Sequence, residues 1–205
     1  MKKYTSIILA ILAWFAVMTQ YYLMIEHRGA SVFETTIRFF SFFTILTNSL
    51  VVIYFTMVLL KKKSDNLSIL DKPGTLTAVT VYITIVGLVY QIILRHIWEP
   101  TGLQMIVDEL LHTVIPILVI IFWYVYDEKI SVTYNQIPQW LIYPLIYLVY
   151  ILIRGHFSSF YPYPFMDVVS LGLSKVLTNS AGLIVLFICM SALFIKLGKI
   201  IRSRQ

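Results

Sequence analysis

The stretch Arg38-Phe-Phe-Ser-Phe-Phe-Thr-Ile-Leu-Thr-Asn48 lies inside an apolar run from about Phe33 to Leu60. One arginine, one serine, two threonines and one asparagine stand there among aromatic and aliphatic side chains. On a helix advancing about 100° per residue, Glu34, Arg38, Ser41, Thr44 and Asn48 fall within one arc of roughly 120°. The remaining faces suit lipid. Polar groups inside a membrane are costly and mark sites or pathways, so this stripe is expected to face the interior of a bundle.

Working outward, the chain has 205 residues, of which 59% are hydrophobic and 13% charged, with a mean hydropathy of +0.83. A soluble domain of this size has no interior large enough for that much apolar surface. Further apolar runs cover about 5–25, 76–98, 105–126, 137–153 and 176–197, with the second at 33–60. The first is too long, and too poorly followed by a small-residue cleavage site, for a secretion signal. The second exceeds a membrane core of about 30 Å, so it is expected to tilt or to start among the headgroups. The pattern predicts an all-α polytopic membrane protein: one domain over 1–205, with six transmembrane helices in one bundle. Polar loops are expected at 61–74 and 127–136. The aromatic, proline-broken segment 157–167 is too short to span and reads as an interfacial anchor or a lid.

The single cysteine, Cys189, forms no internal disulfide and no thiolate cage, and neither a metal nor a cofactor is expected. The net charge of +6 reports orientation here rather than nucleic acid. Six spans put both termini on one side. With them lie eleven basic residues: Lys2, Lys3, Lys61, Lys62, Lys63, Lys72, Lys129, Lys196, Lys199, Arg202 and Arg204. The other side has five: Arg28, Arg38, Arg95, Arg154 and Lys175. Both termini are therefore expected in the cytoplasm of a multi-pass cell-membrane protein (an endomembrane, in a eukaryote). His27, His96, His112 and His156 all fall on the outer side, as do Arg38, Arg95 and Arg154. The expected site is a cavity opening outward or into the outer leaflet.

The fourth run opens with Asp108-Glu-Leu-Leu-His112-Thr-Val-Ile-Pro116. Asp108 and His112 are four apart and share a helix face, so the carboxylate can fix the imidazole's tautomer. Thr44 lies about 15 Å along the second run and His112 about 10 Å along the fourth. A hydroxyl and an imidazole at matched depth are the minimum for base-activated nucleophilic attack. Arg38, Asn48 or a second histidine is then expected to stabilise the oxyanion. Pro116 frees a backbone carbonyl, expected in the cavity. Plainer readings exist for each residue. A membrane threonine bonds its own helix, Asn48 glues helices, His112 pairs with its acids or takes part in proton transfer, and Arg38 snorkels to the interface.

The order Arg-Phe-Phe-Ser-Phe-Phe-Thr44-Ile-Leu-Thr-Asn, His112-Thr-Val-Ile-Pro116 and Tyr163-Pro-Phe-Met-Asp167, in six spans, resembles the androgen-induced-gene/ADTRP family of integral membrane hydrolases. It is most similar to that family's small bacterial members. The resemblance implies a threonine nucleophile and a histidine base, here Thr44 and His112, with Thr47 close enough to exchange places with Thr44. It also implies hydrolysis of lipid esters, such as fatty acid esters of hydroxy fatty acids. Asp108 would orient His112, Arg38 and His156 would meet a carboxylate or headgroup, and 157–167 would close the site. The expected partners are membrane lipids and a lipid-like ester, not nucleic acid. Two other classes compete: a small-solute or proton-coupled carrier, and a non-enzymatic membrane protein. The carrier needs a polar path to both sides, and the enzyme needs Thr44 and His112 to meet.

Overall fold

The computed structural model of the chain describes residues 1–61, 72–127 and 129–202, the side chains of Ile130 and Arg202 excepted. Lys62, Lys63 and Arg204, which enter the count of basic residues above, lie outside the described residues, as does most of the polar loop expected at 61–74. The elements are α1 (Lys2–Glu26), α2 (Val32–Phe39), α3 (Phe43–Leu60), α4 (Thr75–Ile92), α5 (Gly102–Glu109), a π-helical turn (Leu110–Val114), α6 (Ile115–Tyr126), α7 (Ile137–Ser158), α8 (Val168–Leu171) and α9 (Leu173–Arg202). There is no strand among the described residues. Six helical stretches are long and apolar enough to cross a membrane: Lys2–Glu26, Phe43–Leu60, Thr75–Leu94, Gly102–Tyr126, Tyr134–Ser158 and Leu173–Ile201. The protein is thus an all-helical, six-span membrane bundle, as the hydropathy pattern predicted.

The fourth of these elements in chain order, α4, sits at the centre. Its span is 67% buried, whereas no other span exceeds 44%. Between helices in lipid, close packing replaces the hydrophobic effect as the cohesive force, and small residues permit it. On α1, Ala10, Ala13 and Ala16 are all buried, and this face packs against α3.

Prolines free backbone carbonyls that lipid will not satisfy, and the fold answers them with side chains. Pro144, inside α7, cannot donate to the carbonyl of Trp140 four residues earlier. The Tyr82 hydroxyl of α4 donates to that oxygen at 2.7 Å.

The second run departs from its predicted form. It is not one helix over 33–60; it breaks between Phe39 and Phe43, with Phe42 extended at φ −81° and ψ 124°. The predicted polar stripe is therefore cut in two. Glu34 and Arg38 belong to α2, whereas Thr44 and Asn48 open α3. Neither proline nor glycine causes the break. Ser41 returns its hydroxyl to the Ile37 carbonyl at 2.7 Å, a local bond that competes with helix continuation. The freed groups find partners on other elements. The Tyr147 hydroxyl donates to the Ser41 carbonyl at 2.9 Å, and the Thr44 N–H donates to the Tyr163 oxygen at 3.2 Å.

At the same end of the bundle, α7 runs past its predicted stop at Ile153 to Ser158, because Arg154 and Ser158 bond one another across the last turn. Ser159 ends it in the left-handed region, at φ 53°. The chain then folds back over the bundle, and the Tyr161 ring lies flat against Gly155 where a Cβ would stand. Gly155→Ala is expected to force the ring of Tyr161 away and cost about 1–3 kcal/mol, the usual range for overpacking. A lower unfolding temperature in detergent would show this, and an unchanged one would refute it.

Candidate active site

The break in the second run sets the site's geometry. It makes Thr44 the second residue of a membrane-spanning helix, at the end where backbone N–H groups point outward and carry partial positive charge. The facing element is the π-helical turn Leu110–Val114. One extra residue per turn swings His112 toward α3, and such turns recur at functional sites.

Thr44 Oγ1 and His112 Nε2 are 3.3 Å apart. His112 Nδ1 lies 2.9 Å from the Asp108 carbonyl oxygen and 3.4 Å from a carboxylate oxygen of the same residue. A carbonyl only accepts, so Nδ1 carries the proton and Nε2 presents a lone pair to the Thr44 hydroxyl. Tyr90 stacks on the imidazole, with ring centroids 4.1 Å apart and planes 14° from parallel. The three polar residues are nearly dry: Thr44 is 7%, His112 8% and Asp108 6% exposed. The Asp108 Oδ2 atom is buried without a hydrogen-bond partner, and the Tyr90 side chain adjoins the same carboxylate.

Asn48 has a different task from the oxyanion donor expected of it. Its amide nitrogen donates to the Thr44 carbonyl at 2.9 Å and to the Leu111 carbonyl at 3.3 Å. In a π turn the Leu111 carbonyl would take the N–H five residues on, and residue 116 is proline. Asn48 replaces that missing donor and ties the histidine's turn to the threonine's helix. The carbonyl that Pro116 was expected to offer to the cavity is thus spoken for. The neighbouring His112 carbonyl faces Gly87, where a Cβ would come within 3.0 Å of it. A side chain there would crowd that carbonyl and push α4 and the turn apart.

Thr47 is fully buried, but it faces α7, with its hydroxyl 3.1 Å from that of Tyr143. His112 bonds Thr44 instead. Arg38 stands farther out, 2.8 Å from a Glu34 oxygen that Arg154 shares at the same distance. Both guanidinium groups lie over the Phe160 ring, at 4.7 and 4.8 Å. The hydrogen bond from Arg38 holds the Glu34 carboxyl below the usual carboxylate range; burial opposes this, and Arg154 adds to it. His156 is exposed, with its ring against Phe157 at 5.2 Å, and it borders neither cavity described below. The last turn of α7, beyond Ile153, places it there. His27, unlike His156, lines the larger cavity.

Two cavities meet at Thr44. One, of about 1040 Å³, opens among the loops at this end and is bordered by Arg38, Phe42, Thr44, Tyr90, Asp108, His112 and Tyr163. The other, of about 70 Å³, is an apolar slot between α4, α7 and α9, walled by Val86, Val89, Pro144, Leu148, Leu183 and Ile184. Thr44 and Tyr163 border both. No group of three or more His, Cys, Asp or Glu side chains suited to a metal ion occurs among the described residues.

Sequence reading placed Tyr163 in an interfacial segment and did not mark it or Tyr90 as site residues. No periodicity flags them, because each reaches the site from an element that lies far from it in sequence. Comparison with protein-family models, curated proteins and solved structures finds no match for this chain.

Replacing Asn48 with leucine removes the donor from two buried carbonyls. An orphaned buried acceptor costs about 1–3 kcal/mol, so Asn48→Leu is expected to unfold at a lower temperature than the parent protein. Equal melting curves would show that the clamp contributes nothing.

Proposed function

We propose that the chain is an intramembrane hydrolase of lipid esters, with Thr44 as nucleophile and His112 as general base. The observation that carries this reading is the nearly buried Thr44–His112–Asp108 chain at the wall of the chamber, with the imidazole's lone pair turned to the hydroxyl. The 3.3 Å separation suits a resting pair that tightens on substrate. The residues that meet are also those on which the resemblance to the androgen-induced-gene/ADTRP family rests, and that resemblance supports esters such as those of hydroxy fatty acids.

In the proposed reaction, Thr44 Oγ gives its proton to His112 Nε2 and attacks the ester carbonyl carbon. The tetrahedral intermediate collapses, and the departing alkoxide takes the proton from His112. The acyl group now rests on Thr44. His112 then deprotonates a water, which attacks the acyl carbon, and Thr44 leaves with the proton returned to it. Asp108 holds the ring in the productive tautomer and stabilises the imidazolium in both halves.

The two cavities support a lipid substrate. The apolar slot of about 70 Å³ between α4, α7 and α9 suits the few methylenes nearest an ester carbonyl, while the wider chamber takes the rest of the molecule. Arg38 borders that chamber and suits a carboxylate or headgroup. The carrier reading fits less well. Beneath the site Val51, Phe55, Ile83 and Phe122 are fully buried and apolar, where a relay would need ionisable groups.

The charge bias supports cytoplasmic termini, with the site under the extracytoplasmic surface of the cell membrane. A cysteine at the exposed position 157, in a Cys189→Ser background, is expected to react with a membrane-impermeant maleimide on intact cells. Reaction only after permeabilisation would reverse the orientation.

Purified protein is expected to hydrolyse a long-chain p-nitrophenyl ester and to be labelled by an acyl-reactive fluorophosphonate. Thr44→Ala and His112→Ala should each lower the rate by at least about 10³ without loss of folded protein, as removal of a nucleophile or its base does elsewhere. Thr47→Ala should keep labelling. Labelling lost in Thr47→Ala and kept in Thr44→Ala would move the nucleophile, and no labelling of the parent protein would sink the hydrolase reading.

A further inference from the structure

The proposed reaction develops an oxyanion, and the groups first expected to stabilise it are committed elsewhere. Asn48 spends its amide on two backbone carbonyls. Arg38 is held by Glu34. His27 turns Nδ1 to its own helix, 3.0 Å from the Leu23 carbonyl. One uncommitted donor touches the reacting atom. The Tyr163 hydroxyl oxygen lies 3.3 Å from Thr44 Oγ1 and 3.2 Å from the Thr44 nitrogen, whose N–H it accepts.

The direction of these bonds follows from the histidine. The Nδ1 proton is given to the Asp108 carbonyl, so Nε2 accepts the Thr44 proton, and a lone pair on Thr44 Oγ1 remains to accept the phenol's. Tyr163 therefore donates to the nucleophile at rest. When Oγ1 bonds to the carbonyl carbon it needs that lone pair, and the donor must find another acceptor. The new oxyanion sits on that same carbon, two bonds from Oγ1. Rotation of the phenol O–H about the Cζ–O bond brings the donor onto it with no movement of the ring.

We infer that Tyr163 is a third catalytic residue, whose phenol donates a hydrogen bond to the oxyanion formed when Thr44 attacks an ester. This rests on the hydrolase reading above. The phenol keeps its proton throughout; it hydrogen-bonds and does not transfer. Burial raises its pKa above the ordinary phenol value, which suits a group that must stay protonated. The ring is held for the purpose. Phe165 stacks on it, with centroids 5.2 Å apart and planes at 5°, and Phe42 meets it edge-on at 5.8 Å. The N-terminus of α3 adds partial positive charge at the same point. Tyr163 also borders both cavities, so an ester lying across their junction passes its hydroxyl. The other tyrosines nearby are otherwise used: Tyr147 bonds the Ser41 carbonyl, and Tyr143 faces Thr47.

The test uses the full chain in detergent, a long-chain p-nitrophenyl ester, and a long-chain trifluoromethyl ketone whose adduct carries the oxyanion. Tyr163→Phe keeps the ring contacts and removes only the donor. It is expected to lower kcat by about 10²–10³, the usual loss for one oxyanion donor, with KM little changed and the ketone bound correspondingly more weakly. Parent protein that turns over the ester while Tyr163→Phe retains its kcat would overturn the role of Tyr163 and leave the hydrolase standing. A rise in KM alone would also overturn it, making Tyr163 a packing group. Parent protein inert to both compounds would end the hydrolase reading and this inference with it. If Tyr163→Phe does not fold, 3-fluorotyrosine at position 163 decides. Its more acidic phenol should alter kcat and ketone affinity, and unchanged values would count against donation.

Discussion

The structure depends on how one interrupted helix is made tolerable inside a membrane. Between Phe39 and Phe43 the second apolar run leaves backbone groups without helical partners, in a place where water is scarce. Hydroxyls from distant elements take them up: Tyr147 at the Ser41 carbonyl and Tyr163 at the Thr44 N–H. Irregular backbone at membrane depth survives only where protein or a cavity serves it. Because the break is served by α7 and the cap that follows it, the same bonds fasten that cap over the site. The break also turns Thr44 from a mid-helix residue into one at a helix N-terminus.

The fourth span repeats the logic. Pro116 and the π-helical turn leave the Leu111 carbonyl unmet, and Asn48 meets it from α3. In α7, Pro144 leaves the Trp140 carbonyl to Tyr82. Each irregularity binds two helices that the regular ladder would have left to packing alone. Interhelical hydrogen bonds in membranes are individually worth only about 0.6–2 kcal/mol, so their effect here is chiefly to fix register. For a site whose two central groups must hold within a few tenths of an ångström, register is what matters.

The site combines opposite environments. Apolar walls and the stacked Tyr90 surround most of His112, while Thr44, Asp108 and Tyr163 supply a short polar track beside the open chamber. Low local polarity strengthens each hydrogen bond along that track and raises the cost of leaving one unmade. A chamber open among the loops and a narrow apolar slot converge on this track from two sides.

The sequence by itself determined the six spans, because hydropathy over some twenty residues is a sum that tertiary contacts do not alter. It also placed Asp108 and His112 on one face, since their spacing is local; its depth count for Thr44 assumed an unbroken helix from Phe33 and did not foresee the break that puts Thr44 at the start of α3. What it missed depended on partners far along the chain. The break at Phe40–Phe42 has no proline or glycine to announce it; the Ser41 hydroxyl's bond to the Ile37 carbonyl is its one local cue, and the freed groups are met by Tyr147 and Tyr163 from far along the chain. Asn48 read as a possible oxyanion donor until the carbonyl across from it was known. That His156 lies outside both cavities followed from α7 running on past Ile153. Tyr163 opened a motif the sequence already showed, but its contact with Thr44 came only from the fold. Hydropathy and helical spacing belong to a segment. The choice of which hydrogen-bonding group meets which belongs to the packed bundle, where a buried polar group must find a partner on whichever element happens to be adjacent.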